Sequence, residues 1–172
     1  GFREFVVCLG YRGELIREYF LHYRALSQDF TVRLGAPDAT YGPAGDELED
    51  CVVTLLDTGQ ETGTGGRVAR AAPYLGGDRF IVSYGDAVAN LDAAGLFRFH
   101  REHGKLATVT AVRAISRFGV LELEGEAVLS FSEKPQLDDW ISAGYFVFER
   151  AVLERLGDDK SMFEQELVRT LA

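Results

Sequence analysis

Apolar residues along the chain follow two rhythms: short runs that are continuous or alternating, and longer stretches spaced three to four apart. FREFVVCL (2–9), FTVRL (30–34) and CVVTLL (51–56) are short β-rich runs, and each predicts a strand. Between the first two, Leu15, Ile16, Tyr19, Phe20, Tyr23 and Leu26 fall on one helical stripe over 14–26, with Arg12-Gly13 supplying the turn before it. Residues 35–50, GAPDATYGPAGDELED, have no period and read as an exposed loop. The Gly/Thr-rich stretch DTGQETGTGGR follows the third strand, and RVARAAPYL predicts a short helix ending near Pro73.

FIVSYGDAVANLD (80–92) opens as a fourth buried strand and breaks off at Asp86, with Asn90 placed to cap a helix over 91–103. LATVTAVR (106–113) predicts another strand, and 120–123 with 127–131 alternate about Gly125 as a hairpin. ISAGYFVF (141–148) is the last strand, with helical segments near 149–156 and 160–171. Strands that alternate with helices and are apolar throughout predict a parallel α/β sheet covered on both faces, with ligands outside the carboxyl ends of its strands. Asp86 stands at that edge.

Composition narrows the classes. A chain of 172 residues, 47% hydrophobic and 26% charged, is a globular domain of ordinary size. Its net charge of −9 opposes nucleic-acid and anionic-membrane binding, and no apolar run is long enough to span a bilayer. The opening residues lack a signal-peptide layout, so the expected compartment is the cytoplasm. Cys8 and Cys51 lie in apolar runs and predict buried free thiols.

The candidate chemistry rests on few side chains. Asp86, after Tyr84-Gly85, suits a ligand to a hard cation such as Mg²⁺, or a plain turn aspartate. Gly65-Gly66-Arg67 is neither a dinucleotide fingerprint nor a P-loop; it can offer N–H groups and a guanidinium to a base or phosphate, or be a flexible loop. Glu133-Lys134-Pro135 holds one of only three lysines, as a phosphate contact or a solvated turn, with Pro135 restricting the backbone of Lys134. His100 and His103, near Glu102, share a helix face without a third ligand nearby and read as packing or surface residues. No Ser/His/Asp or Cys/His nucleophile arrangement occurs.

In order, VVCLGYRG, TLLDTGQETGTGGR, YGDAVANLD, RFGVLELEG, FSEKP, ISAGYFVF and MFEQELV resemble the glucose-1-phosphate cytidylyltransferase family of the sugar-nucleotidyltransferase superfamily. DTG…TGGR is the part most specific to the cytidylyltransferase branch, and YGD followed by EKP marks the superfamily. The resemblance implies a Rossmann-like three-layer α/β sandwich with a mostly parallel sheet, present over 1–172 as a partial nucleotidyltransferase domain. It implies CTP and glucose 1-phosphate as substrates, Mg²⁺ as cofactor, CDP-glucose and pyrophosphate as products, and a homo-oligomer.

The same resemblance assigns Mg²⁺ to Asp86, the sugar hydroxyls to Glu133, the sugar phosphate to Lys134, the nucleotide to Gly65, Gly66 and Arg67, and close sugar approach to Gly144. Asp86 and Lys134 would then serve opposite ends of one sugar nucleotide. A sugar phosphate oxygen is already an anionic nucleophile, so positioning and charge neutralisation suffice for this reaction without a side-chain base. The family's G-x-G-T-R loop, its K-P lysine and a second metal-binding aspartate have no counterpart in these residues, which implies that they are part of a longer protein. Ser142-Ala143-Gly144 replaces the usual Asn-Gly-Gly, and Gly85-Asp86-Ala87 the usual Gly-Asp-Gly. Two other classes remain: a non-catalytic sugar-nucleotide-binding homologue, and a metal-dependent glycosyltransferase, although Asp86-Ala87-Val88 lacks the second acid of D-x-D.

Overall fold

The computed structural model describes residues 2–42 and 51–171. They form two compact units, Gly1–Gly76 with Ala151–Ala172, and Gly77–Arg150.

In the first unit, β1 (Glu4–Leu9) and β4 (Val52–Asp57) pair in parallel from Glu4↔Val52 to Leu9↔Asp57. Their carboxyl ends therefore emerge side by side. The helical stripe forms but breaks in two, α1 (Gly13–Leu21) and α2 (Tyr23–Ser27). At the break the His22 ring bonds the Glu18 carbonyl at 2.9 Å, the same oxygen that accepts the His22 N–H. The expected loop at 35–50 is partly a strand: β3 (Ala39–Tyr41) pairs antiparallel with β2 (Phe30–Val32), and Phe30 packs on Tyr41. Residues 43–50 of that loop lie outside the described residues. Helix α3 (Thr64–Ala71) begins three residues before Arg67 and ends in a 3-10 turn, Ala72–Tyr74, that contains Pro73. Cys8 and Cys51 are free, and both are half-buried rather than buried.

In the second unit, β5 (Arg79–Ser83), α4 (Ala93–His103) and β6 (Ala107–Ile115) form a crossover whose two strands are not neighbours. β9 (Gln136–Glu149) lies between them and runs antiparallel to both, so β5 and β6 are parallel to each other across it. The α/β class holds, while direct parallel pairing is seen only for β1 with β4 among the described residues. β9 is central, which explains its apolar second half: Phe146, Val147 and Phe148 are buried. Rings line one face in sequence, Phe80 against Phe148, Phe148 stacked on Phe146, and Phe146 against Tyr84. The cap of α4 is Asp92 rather than Asn90; its Oδ1 accepts the Gly95 N–H at 2.9 Å, and Gly104 at φ 64° ends the helix. The hairpin forms as β7 (Val120–Glu124) and β8 (Ala127–Ser132). No helix among the described residues is long and apolar enough to cross a membrane.

Candidate functional site

Apolar strand β5 delivers its chain to a tethered turn. Ser83 is the last residue paired with β9, opposite Tyr145, and the Tyr84 N–H then donates to the Gly144 carbonyl at 3.1 Å. Gly144 has φ 78°, and a Cβ there would stand 2.6 Å from Tyr84 Cδ2, so glycine is required on both counts. Val109 pairs with Phe146 and Ala111 with Ser142, so β9 carries the extra residues of a bulge at this point. The Ala87 N–H returns to the Tyr84 carbonyl at 3.4 Å, and the Tyr145 hydroxyl donates to the Ala87 carbonyl at 2.7 Å.

Asp86 is therefore exposed on a turn fastened to β9 at both ends, and its carboxylate has no protein partner among the described residues. No cluster of three or more His, Cys, Asp or Glu side chains forms a ready cage among those residues. Mg²⁺ needs none: it keeps several waters and takes one or two carboxylates together with substrate phosphates. An anchored carboxylate with free lone pairs fits that requirement.

Glu133 and Lys134 sit in the second unit too, beyond the far end of the ribbon that β6 and β9 form past the bulge. The Ser116 N–H donates to the Pro135 carbonyl at 2.9 Å, and Ile115 pairs with Gln136. Six residues of β6, about 20 Å of strand, separate Ser116 from the level of the Gly144 bulge. The sheet thus brings Asp86 and Gly144 together and sets Lys134 at the other end of an extended ribbon. Lys134 has φ 47° although a proline follows it, against the extended backbone its neighbour favours. Its Nζ lies 3.9 Å from Glu133 Oε1, with both side chains 62% exposed. Such a pair contributes about 0–1 kcal/mol, less than the roughly 1.5–3 kcal/mol of a charge-assisted hydrogen bond, so it leaves the ammonium available to a phosphate.

Gly65, Gly66 and Arg67 belong to the first unit, and their polar groups are engaged within it. Arg67 Nη1 donates to the Leu9 carbonyl at 3.1 Å and to Thr58 Oγ1 at 2.6 Å, and Nη2 to the Gln60 carbonyl at 3.2 Å. Buried Thr58 gives the same Leu9 oxygen both its N–H, at 2.9 Å, and its hydroxyl, at 2.8 Å. The expected open loop is instead a seat for the segment around 159–161. The Gly63 N–H donates to the Asp159 carbonyl at 2.7 Å and the Gly65 N–H to the Ser161 carbonyl at 2.9 Å. A Cβ on Gly65 or Gly66 would stand 2.6 Å from Ser161 Oγ or 2.7 Å from the Asp159 carbonyl oxygen. Here the glycines serve close backbone approach, and the guanidinium ties the ends of β1 and β4. Arg70 pairs with Asp159, whose carboxyl is held below the usual range first by that hydrogen bond.

His100 and His103 meet at Thr108, whose hydroxyl bonds His100 Nδ1 and His103 Nε2, each at 2.7 Å. His103 Nδ1 accepts the Lys105 N–H at 2.9 Å, so the neutral ring carries its proton on Nε2 and donates to Thr108. Thr108 then donates to His100, whose own proton faces Glu149 Oε1 at 3.4 Å. Burial pushes the His100 pKa down, opposed by Glu149 and assisted by His103 and Arg79. These histidines fasten α4 to the sheet.

A family model described as nucleotidyl transferase matches residues 1–170. The chain belongs to that family. It is 39% identical to glucose-1-phosphate cytidylyltransferase of Salmonella typhi and 37% identical to a probable glucose-1-phosphate cytidylyltransferase of Bacillus subtilis (strain 168). Each match covers 100% of this nucleotidyl transferase chain and 67% of the relative's length. Among solved structures, HddC from Yersinia pseudotuberculosis is similar in fold at a TM-score of 0.66 and 20% identity, over 100% of this chain and 67% of that one. UDP-glucose pyrophosphorylase complexed with UDP-glucose gives a TM-score of 0.57 at 14% identity, over 98% and 69%. The relatives are sugar-phosphate nucleotidyltransferases, and the nucleotidyl transferase chain is an enzyme of that kind.

Proposed function

We propose that this nucleotidyl transferase makes CDP-glucose and pyrophosphate from CTP and glucose 1-phosphate. The single structural observation that carries the reading is Asp86, whose carboxylate has no protein partner among the described residues and stands on a turn pinned to β9 beside Gly144. In the proposed reaction a phosphate oxygen of glucose 1-phosphate attacks the α-phosphorus of CTP, and the bond to the β-phosphate breaks to release pyrophosphate. Asp86 holds Mg²⁺, which neutralises charge on the phosphates. Gly144 lets the sugar approach bare backbone, and Glu133 and Lys134, set about 20 Å of strand away by the β6–β9 ribbon, meet the sugar hydroxyls and the sugar phosphate in this proposal only when that ribbon folds back over the sugar. Arg67 acts on the nucleotide chiefly by shaping the ends of β1 and β4, and Gly65 and Gly66 by seating residues 159–161 against α3. Cytidylyl preference is supported by the cytidylyltransferase relatives, and assembly into a homo-oligomer is part of the proposal, checked by light scattering.

The test is pyrophosphate release by the protein, expressed with its native flanking sequence, when glucose 1-phosphate and Mg²⁺ are supplied with each nucleoside triphosphate in turn. Release with CTP is expected. Release only with another triphosphate would overturn the base assignment, and silence with every pair of substrates would overturn the activity. A second reading, a sugar-nucleotide binder without turnover, is favoured by the internal use of the Gly63 and Gly65 N–H groups and the Arg67 guanidinium. Calorimetric CDP-glucose binding in the absence of any pyrophosphate release would support it.

A further inference from the structure

The hydrogen bonds that join α4 to β6 form a chain with a direction. Its outer end is the Lys105 N–H, a donor that cannot reverse, and its inner end is the Glu149 carboxylate, which accepts. Between them lie His103, Thr108 and His100, each able to donate at one atom and accept at another. The fixed donor sets every proton that follows: the gap from Lys105 to His103 holds one, and so do the gaps from His103 to Thr108, from Thr108 to His100 and from His100 to Glu149. With neutral rings the chain is therefore full. Charged and titratable groups face His100 from three elements. Glu149 on β9 attracts a proton to it, Arg79 on β5, itself paired with Glu149, opposes one, and His103 stands beside it on α4, while β6 brings only the neutral Thr108.

A further proton taken up by either imidazole has no empty gap to enter. On His100 Nδ1 it meets the Thr108 hydroxyl proton; if that hydroxyl reverses, it meets the proton on His103 Nε2; and if His103 changes tautomer in turn, its Nδ1–H meets the Lys105 N–H. On His103 the added proton goes straight to Nδ1, against the same amide. One link must break, and burial decides which. His100 is 0% and Thr108 9% exposed, so a donor left bare there gains no water, whereas Lys105 is exposed and its N–H can turn to solvent. The His103 ring is held edge-on by Phe99 and His100, at centroid distances of 5.1 and 5.2 Å. The turn beyond it has room: Gly104, at φ 64°, has no atom within 4 Å of where a Cβ would stand. We propose that this chain of hydrogen bonds is an acid-released latch, which closes the end of α4 onto β6 when both rings are neutral and opens at the Gly104–Lys105 turn when His100 or His103 takes up a proton. Burial holds the His100 pKa below its ordinary value of about 6.5, so release through that ring occurs under this pH. The latch is independent of the reaction proposed above.

Amide exchange and imidazole NMR test it on the protein with its native flanking sequence. After correction for the intrinsic exchange rate, protection of the Lys105 amide should fall about tenfold between about pH 7.5 and about pH 5. His103→Asn puts an amide oxygen, which does not titrate, in the place of the Nδ1 acceptor, and there the Lys105 protection should stay within about twofold over the same range. At about pH 8 the ring nitrogen shifts should show both His100 and His103 protonated on Nε2 and bare on Nδ1. Protection that is equal at the two pH values overturns the latch, and so does a His103→Asn protein whose Lys105 amide loses protection as the wild type does. A proton on Nδ1 of either neutral ring overturns it without any variant, because the direction of the chain is then wrong.

Discussion

The Leu9 carbonyl, at the end of β1, accepts from Arg67 at 3.1 Å across a separation of 58 residues. The same guanidinium stands where a Cβ on Gly10 would lie, 2.6 Å from Nη2, so Gly10 and Arg67 require each other. Arg67→Ala is accordingly expected to lower unfolding stability by about 1.5–3 kcal/mol, read from the denaturant midpoint, even with no ligand present. A variant as stable as wild type but with a raised KM for nucleotide would mean that Arg67 meets substrate instead.

The seat formed by α3 gives a second test. Gly66→Ala places a methyl 2.7 Å from the Asp159 carbonyl oxygen and 2.8 Å from its Cα, both backbone atoms that cannot swing aside. Overpacking of this kind costs about 1–3 kcal/mol. Limited proteolysis should show earlier cleavage near residues 157–162 in the variant, and an unchanged digestion pattern would show that the segment does not depend on the glycine.

Stability should fall in mild acid because of His100. Its folded pKa lies below the ordinary value of about 6.5, so the unfolded chain takes up this proton first as pH drops. The contribution is complete above about pH 6.5 and is lost progressively as pH falls from there toward the depressed folded value. His100→Gln should flatten the denaturant midpoint between about pH 7 and 5.5 while lowering it throughout. A slope identical to wild type would assign the acid sensitivity to other groups.

Asp86→Asn keeps the shape of the turn and removes one charge. It should abolish Mg²⁺-dependent pyrophosphate release, and the melting temperature should stay within about 2 °C of wild type, because the carboxylate has no protein partner among the described residues. Turnover that survives the change would dismiss Asp86 as the cation ligand.

The elements that were readable in advance are those whose pattern is local and long. β1, β4, β5, β6 and the β7–β8 hairpin follow their apolar runs, as does α4 with its capping turn shifted by two residues. β3 was not readable, because three residues between Pro, Asp and Gly are too short to show a period and depend on β2 for their pairing. The break at His22 arises from one ring bonding one carbonyl, which leaves the stripe intact. Within the site, the YGD turn could be placed from β5 alone, but its tether through Tyr145 needed the β9 register. The engagement of Arg67 was hidden for the same reason: a guanidinium offers the same donors to a nucleotide as to Leu9, and only distant contacts decide between them.

Because β9 fills the gap between β5 and β6 yet comes after both of them and the hairpin, synthesis on the ribosome leaves this sheet open until its last strand emerges. Until residue 149 has cleared the exit tunnel, two mutually parallel strands wait with bare inner edges, and Phe80 lacks the neighbouring ring of Phe148. Nascent chains stalled before Gln136 are the form most exposed to capture by chaperones or to mispairing.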